Sequence, residues 1–91
     1  MPRIGHTERD RQIETALAAR AEFDDPTRWR RSKRGNLWRQ WENQTVTVFA
    51  REGGWWWCVA DEEQRRFSRR GYASIAWAKT ALAENLLEDV L

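Results

Sequence analysis

The stretch GGWWWCVA, residues 53–60, decides how this chain folds. It follows QTVTVFA, residues 44–50, a β-branched run in which polar and apolar residues alternate as they do in a half-buried strand. The two glycines can take the positive φ angles of a tight turn, so the two runs are predicted to form an antiparallel hairpin. Because strand side chains alternate between faces, Trp55 and Trp57 share one face and Trp56 lies on the other.

The length of the hairpin loop determines which residues face each other. A loop of two or four residues places Val48 opposite Trp57 or Val59, whereas an odd loop would exchange the partners. With an even loop, one face is strongly apolar and is expected to pack on the C-terminal helix. The members of this apolar face are Val46, Val48, Ala50, Trp55, Trp57 and Val59. The opposite face carries Thr45, Thr47, Phe49, Trp56, Cys58 and Ala60.

Two helices are predicted at the ends of the chain. The first covers residues 7–25, with Thr7 as N-cap and Asp25-Pro26 as its end. The second covers residues 74–90, with Ser74 as N-cap. Helical spacing predicts a thin buried stripe on the first, formed by Ile13, Ala16, Leu17 and Ala21 with Phe23 near its edge, and a stronger one on the second, formed by Ile75, Ala78, Leu82, Leu86 and Val90.

The fold predicted from these segments is α+β, in a single domain. Residues 26–36 are predicted to be a basic linker and residues 37–70 an antiparallel sheet. The sheet has three strands, the third being residues 65–68, and residues 37–41 are a candidate fourth strand. The C-terminal helix packs on one sheet face, and the N-terminal helix is added to this unit.

Composition narrows the class of protein. Ninety-one residues, a third of them charged, are typical of one small soluble domain. No apolar run approaches the roughly 18–20 residues of a membrane span, and the first residues do not resemble a signal peptide. The single cysteine cannot form an internal disulfide. We therefore expect a cytoplasmic protein that does not bind membranes.

Positive charge is concentrated in two segments. Residues 28–39 carry six basic residues and no acid, and RRFSRR, residues 65–70, carries four basic residues and no acid. Fourteen of the sixteen basic residues are arginine, which suits bidentate phosphate contacts and aromatic stacking. Genomic base composition could equally explain the arginine content, and residues 28–39 could be a solvated loop neutralised by acidic segments.

The face that carries Trp56 allows different interpretations. The N-terminal helix could cover it, with Ile13, Leu17 and Phe23 packed on Trp56 and Phe49 in a three-layer α/β/α core. Alternatively the face is open and binds nucleic acid or a protein, since aromatic and arginine side chains are common in both kinds of binding surface. If Phe67 points toward the core, Arg66 and Ser68 join this second face.

The sequence lacks the residue patterns of common enzymes. His6 is the only histidine and lies near the N-terminus, and Cys58 has no nearby histidine to activate it. There is no Cys/His cluster for zinc and no glycine-rich loop for phosphate. We predict that the protein is not an enzyme and has no catalytic residues, no metal site and no cofactor.

Residues 44–83 resemble a recurring small module found in the arm-binding domains of phage-type tyrosine integrases, in plant ethylene-response DNA-binding domains and in several small bacterial domains. The matching parts are Gly53-Gly54, Trp55 to Val59, the turn 61–64, Phe67, Gly71 to Ser74, and Ala76 to Ala83. The resemblance implies a sheet face inserted in the DNA major groove. By position it implies Phe49, Trp56, Arg66 and Ser68 as contacts.

Two functions follow as hypotheses. The first is a nucleic-acid-binding module that uses the basic segments and the face of Trp56. Its predicted binding residues are Arg28, Arg30, Arg31, Lys33, Arg34, Phe49, Trp56, Arg66, Ser68, Arg69 and Arg70. The second is a protein-interaction module, regulatory or inhibitory, that binds a protein partner or forms a homodimer through the same aromatic face.

Overall fold

Two helices and a five-stranded antiparallel sheet make up the computed structural model, which describes residues 8–87, with side chains from residue 14 onward. In chain order the elements are α1 (Glu8–Asp24), β1 (Arg30–Arg31), β2 (Leu37–Trp41), β3 (Gln44–Arg51), β4 (Gly54–Ala60), β5 (Arg65–Phe67) and α2 (Ile75–Leu87). Each strand pairs with the next one in the chain. The α+β class is therefore confirmed, and the prediction of three or four strands is corrected to five.

The central hairpin has the predicted register. Val48 pairs with Trp57 and Val46 pairs with Val59, because the pair formed by Arg51 and Gly54 closes an even, two-residue turn. Gly54 has a φ of 121°, a conformation that only glycine adopts without strain. The alternation of side chains, together with the length of this turn, thus determined the buried face correctly.

The predicted basic linker, residues 26–36, is wrong in part because it contains the first strand. Arg30 pairs with Trp38, and a tight turn joins β1 to β2. In that turn the Ser32 backbone N–H donates to the Asn36 carbonyl at 2.8 Å, and Gly35 has a φ of 86°. Two charged residues carry no hydrophobic alternation, so backbone pairing with β2 is what makes this segment a strand.

Both helices lie on the same side of the sheet. The core contains Val46, Val48, Trp57 and Val59 from the sheet, and Ala78, Leu82, Ala83 and Leu87 from α2. Helix α1 packs against α2 and reaches the core through Phe23. Of the interpretations left open by the sequence, the three-layer arrangement is wrong, because Phe23 packs edge-on against Trp29 and Trp41, at centroid distances of 5.5 and 5.1 Å, on the helix side of the sheet.

The buried stripe of α1 differs from the predicted one. Ala16 and Phe23 are buried, whereas Leu17 is 66% exposed and Ala21 is also exposed. Burial of the large Phe23 ring selects the helix face on which Ala16 lies and turns Leu17 toward solvent. The Ile13 side chain lies outside the described side chains.

Helix α2 begins as predicted. The Trp77 backbone N–H donates to Ser74 Oγ at 3.2 Å, which is the N-cap bond expected of a serine at this position. The buried stripe is wider than predicted and includes Ala83 and Leu87, because α2 contacts both the sheet and α1. Thr7 and Val90 lie outside the described residues. Neither described helix is long and apolar enough to cross a membrane.

Candidate nucleic-acid interface

The side of the sheet away from the helices forms what we name the open face. The strand register assigns to it Arg30, Trp38, Gln40, Thr45, Thr47, Phe49, Arg51, Trp56, Cys58, Ala60, Arg65 and Phe67. Among these strand positions are three arginines, from β1, β3 and β5, and no acidic residue. The open face therefore combines aromatic side chains with positive charge.

One row of cross-strand neighbours runs across all five strands of the open face. The successive partners in this row are Arg30, Trp38, Thr47, Cys58 and Phe67. With about 4.8 Å between neighbouring strands, Trp38 and Phe67 are roughly 14 Å apart. Thr47 and Cys58 lie between the two aromatic side chains. Because both residues are small, the surface between the two rings is lower than the rings, and we call it the floor of the row.

A shallow depression of about 450 Å³ lies at the β5 end of this row. Phe49 and Phe67 form one of its walls, with their ring centroids 6.2 Å apart in an edge-to-face arrangement. The Phe67 side chain is 49% exposed, which is unusual for a phenylalanine. Arg65 also lines the depression, so a cation lies beside the exposed ring.

A second depression, of about 420 Å³, lies at the β1 end. It is lined by Thr27, Arg28, Arg30, Trp38, Arg39 and Gln40. Here too an aromatic ring lies beside arginines, and all three of them belong to the basic segment 28–39. Each end of the row therefore offers the same combination of side chains.

Trp56 lies on the open face as predicted, and its indole ring packs against the turn of the central hairpin. Its indole N–H donates to the Glu52 carbonyl at 3.1 Å, and the Arg51 guanidinium lies 5.9 Å from the ring centroid. A Cβ at Gly71 would lie 2.8 Å from Trp56 Nε1, so the indole packs directly on that backbone. Trp56 thereby connects the turn to the segment before α2.

The predicted placement of Arg66 and Ser68 on this face is wrong. Arg66 pairs with Val59 on the helix side and donates to Asn85 Oδ1 at 3.1 Å. Ser68 is buried: its Oγ accepts from the Trp57 backbone N–H at 3.1 Å and donates to the Arg70 carbonyl at 3.0 Å. Phe67 points to the open face, so the condition under which Arg66 and Ser68 would join that face does not hold.

Arg65 and Phe67 belong to the open face but were not among the binding residues predicted from the sequence. The loop-length rule used for the central hairpin, applied to the turn before β5, would have placed both there. The Asp61 backbone N–H donates to the Gln64 carbonyl at 3.0 Å and closes a four-residue turn. This even loop pairs Ala60 with Arg65 and places Phe67 opposite Cys58. Trp38 and Arg51 were also missed, although the alternation of β2 and β3 assigns both to the open face.

The two basic segments lie at opposite edges of the sheet, roughly 19 Å apart across four strand spacings. At the β1 edge, Arg28, Arg30, Arg31, Lys33 and Arg34 are all exposed. Arg31 pairs with Leu37 on the helix side, and its Nη1 donates to the Gly35 carbonyl at 2.9 Å. Arg28 Nε lies 3.9 Å from Glu22 Oε1.

At the β5 edge, the predicted residues Arg66, Arg69 and Arg70 line a cleft of about 710 Å³ between the strand and α2. The Arg70 guanidinium lies 4.9 Å from the centroid of the Tyr72 ring. Glu84 shares the cleft, so an acid accompanies these cations. The cleft lies on the helix side of β5, and Phe67 lines both this cleft and the depression on the open face.

Arg39, the last cation of the basic run, is part of the core side. It is only 7% exposed, and its Nη1 donates to the Glu22 and Phe23 carbonyls at 2.8 and 3.2 Å. Its Nε donates to the Gln40 carbonyl at 2.9 Å. The bonds to Glu22 and Phe23 satisfy carbonyls at the C-terminus of α1, so Arg39 has a structural role, although it also lines the depression at the β1 end.

Cys58 is a buried free cysteine on the open face. Burial raises the pKa of the Cys58 thiol above its usual value, while the charge of Arg65 acts in the opposite direction. Among the side chains that the structure describes, no three His, Cys, Asp or Glu residues are grouped to hold a metal ion. His6 lies outside the described residues.

We expect Cys58 to react slowly with iodoacetamide near neutral pH. The raised pKa lowers the thiolate fraction, and burial limits access, so alkylation should be at least about tenfold slower than in the urea-unfolded chain. Mass spectrometry of timed samples measures both rates. Equal rates would show that the floor of the row is accessible to the reagent.

Comparison with protein-family models, curated proteins and solved structures found no match to this chain. The similarity to integrase arm-binding and ethylene-response domains therefore stays a prediction. Function is inferred below from the geometry of the open face.

Proposed function

We propose that this protein binds nucleic acid through the open face. The observation that carries the proposal is the composition of its strand positions, where Arg30, Arg51 and Arg65 are accompanied by aromatic residues and by no acid. Arginine pairs with phosphate bidentately, and aromatic rings stack on bases. Neither the basic cleft beside α2 nor the buried Arg39 is needed for this contact.

The positions of the arginines suggest how a phosphate backbone would be held. Arg30 lies on the first strand and Arg65 on the last. Trp38 is the cross-strand partner of Arg30, and Phe67 lies two residues from Arg65 on the same strand. Phosphates would contact the cations at both edges while the bases face the rings. Arg28 can add a contact in the depression at the β1 edge.

A pair of double variants tests the proposal. In Arg30→Gln/Arg65→Gln, two cations leave the open face, so affinity should fall and the slope of log K against log salt should become shallower by about 1.4 for a single-stranded ligand. In the control, Arg31→Gln/Arg66→Gln, the same charge leaves the same two strands from the helix side. Fluorescence anisotropy of a labelled oligonucleotide between about 50 and 200 mM salt measures both slopes.

The control separates contact from overall charge. If both double variants lose affinity equally, only net charge matters and the open face is not the binding surface. Absence of salt-dependent binding to any oligonucleotide also overturns the proposal. A protein contact is then favoured, because an aromatic interface between proteins responds little to moderate salt, and sedimentation would show whether the partner is a second copy.

A further inference from the structure

We infer that the open face takes nucleic acid as a single strand, with bases stacked on Trp38 and Phe67, and that it excludes a duplex. This inference rests on the proposed function and specifies its ligand. It follows from the row that crosses the sheet, from the width of the sheet and from the placement of the outer arginines.

The row presents two aromatic side chains, Phe67 at 49% exposure and the half-buried Trp38, and stacking on such rings requires unpaired bases. Trp38 and Phe67 point out of the open face with Thr47 and Cys58 between them. In a duplex the faces of the bases are covered by their neighbours, whereas in a single strand they can be splayed and stacked on aromatic side chains. The small side chains of the floor leave room for a base or sugar between the two rings.

The width of the sheet opposes groove insertion. The five strands span roughly 19 Å from β1 to β5, whereas the major groove is about 12 Å wide and admits a helix or a two-stranded ribbon. The similarity noted in the sequence covers a three-stranded sheet and did not include β1 and β2. With those strands present, the edges of the sheet would meet the phosphate backbones before the rings reached the base edges.

The charge pattern agrees with a strand lying across the sheet. Arg30 belongs to the row and Arg65 lies two residues from Phe67 on β5, so a cation is present at each end of the row, whereas Arg51 lies four residues beyond Thr47 on β3. A flexible single strand can bring successive phosphates to cations spaced in this way. Base contacts of this kind tolerate any sequence, because every base has a π face.

The first test compares three ligands for their affinity to the whole 91-residue chain. Labelled oligonucleotides of about 12 nucleotides, within the usual site sizes, are used as single-stranded DNA, single-stranded RNA and duplex DNA of one mixed sequence. We expect either single strand to bind at least about tenfold more tightly than the duplex. The affinities for single-stranded DNA and single-stranded RNA, compared with each other, show which of the two is preferred. A duplex bound as tightly as the single strands would overturn the inference.

The second test removes the exposed ring. Phe67→Leu keeps an apolar side chain but no ring and should weaken single-strand binding by roughly 5- to 100-fold, whereas Phe67→Tyr keeps the ring and should bind as the wild type does. Trp77→Ala is the matched control, because Trp77 is 66% exposed but lies on α2. Its affinity should be unchanged, and thermal unfolding checks that each variant is folded.

The outcomes separate this inference from the proposed function. If the arginine pair matters but Phe67→Leu binds normally, the open face binds nucleic acid without stacking and the inference fails alone. If Trp77→Ala weakens binding as much as Phe67→Leu, the exposed rings act nonspecifically and the inference also fails. If no oligonucleotide binds, both proposals fall together.

Discussion

Replacing Gly54 with alanine is expected to lower the free energy of unfolding by roughly 3–5 kcal/mol. Gly54 has a φ of 121°, and an added Cβ would collide with the Tyr72 carbonyl oxygen. Next to it, Trp55 and Tyr72 exchange two backbone hydrogen bonds of 2.8 and 2.7 Å, which hold the segment before α2 against β4. Moving Tyr72 away would break this bridge as well as strain the turn.

Gly35→Ala is the matched control for Gly54→Ala. Gly35 also has a positive φ, of 86°, but nothing lies within 4 Å of an added Cβ. This variant should therefore show only the cost of the backbone conformation, about 1–2 kcal/mol. Urea unfolding followed by tryptophan fluorescence gives both values, and equal losses would show that the close approach to Tyr72 is unimportant for stability.

Arg39→Met is expected to destabilise the fold by about 2–4 kcal/mol, although Arg39 belongs to the most basic segment of the sequence. Its guanidinium bonds to the Glu22, Phe23 and Gln40 carbonyls and lies 5.1 Å from the centroid of the Trp41 ring. Methionine fills part of the space but donates no hydrogen bond. The end of α1 would lose its side-chain hydrogen bonds from Arg39 of β2, while the packing of Phe23 on Trp41 would remain.

Two further variants separate the contribution of geometry from that of charge. Arg39→Lys keeps the positive charge but cannot reproduce the planar set of donors, so it should recover little of the lost stability. Arg30→Met removes an exposed cation from the same basic segment and should change stability by no more than about 0.5 kcal/mol. Full recovery by lysine, or equal losses for Arg30→Met and Arg39→Met, would contradict the structural role of Arg39.

The central hairpin was predictable because its evidence is local. Alternation in residues 44–50 and 55–60, joined by a glycine turn, is enough to pair Val48 with Trp57 and to separate Trp56 from its neighbours. The Ser74 cap was predictable for the same reason, since the serine bonds to a backbone N–H only three residues away. Interactions of this kind depend on turn length and residue type alone.

The candidate site was predicted less well because its assembly depends on distant partners. Arg30 belongs to it only because β1 pairs with β2, and charged residues give no strand signal of their own. Arg66 and Ser68 were assigned to it on the condition that Phe67 points toward the core, but the register of β5 places Phe67 on the open face. Ser68 and Arg39 looked like accessible polar residues, and each is buried by bonds to segments elsewhere in the fold.

By itself the sequence determined the α+β class, the central hairpin, its buried face and the start of the last helix, since each of these follows from short-range periodicity and turn chemistry. The tertiary structure alone decided which sheet face stays open. Phe23 packs between Trp29 and Trp41, and Arg39 holds the carbonyls at the end of α1, so the first helix lies beside α2. These contacts join residues far apart in the chain, and their energies depend on packing that no local pattern encodes.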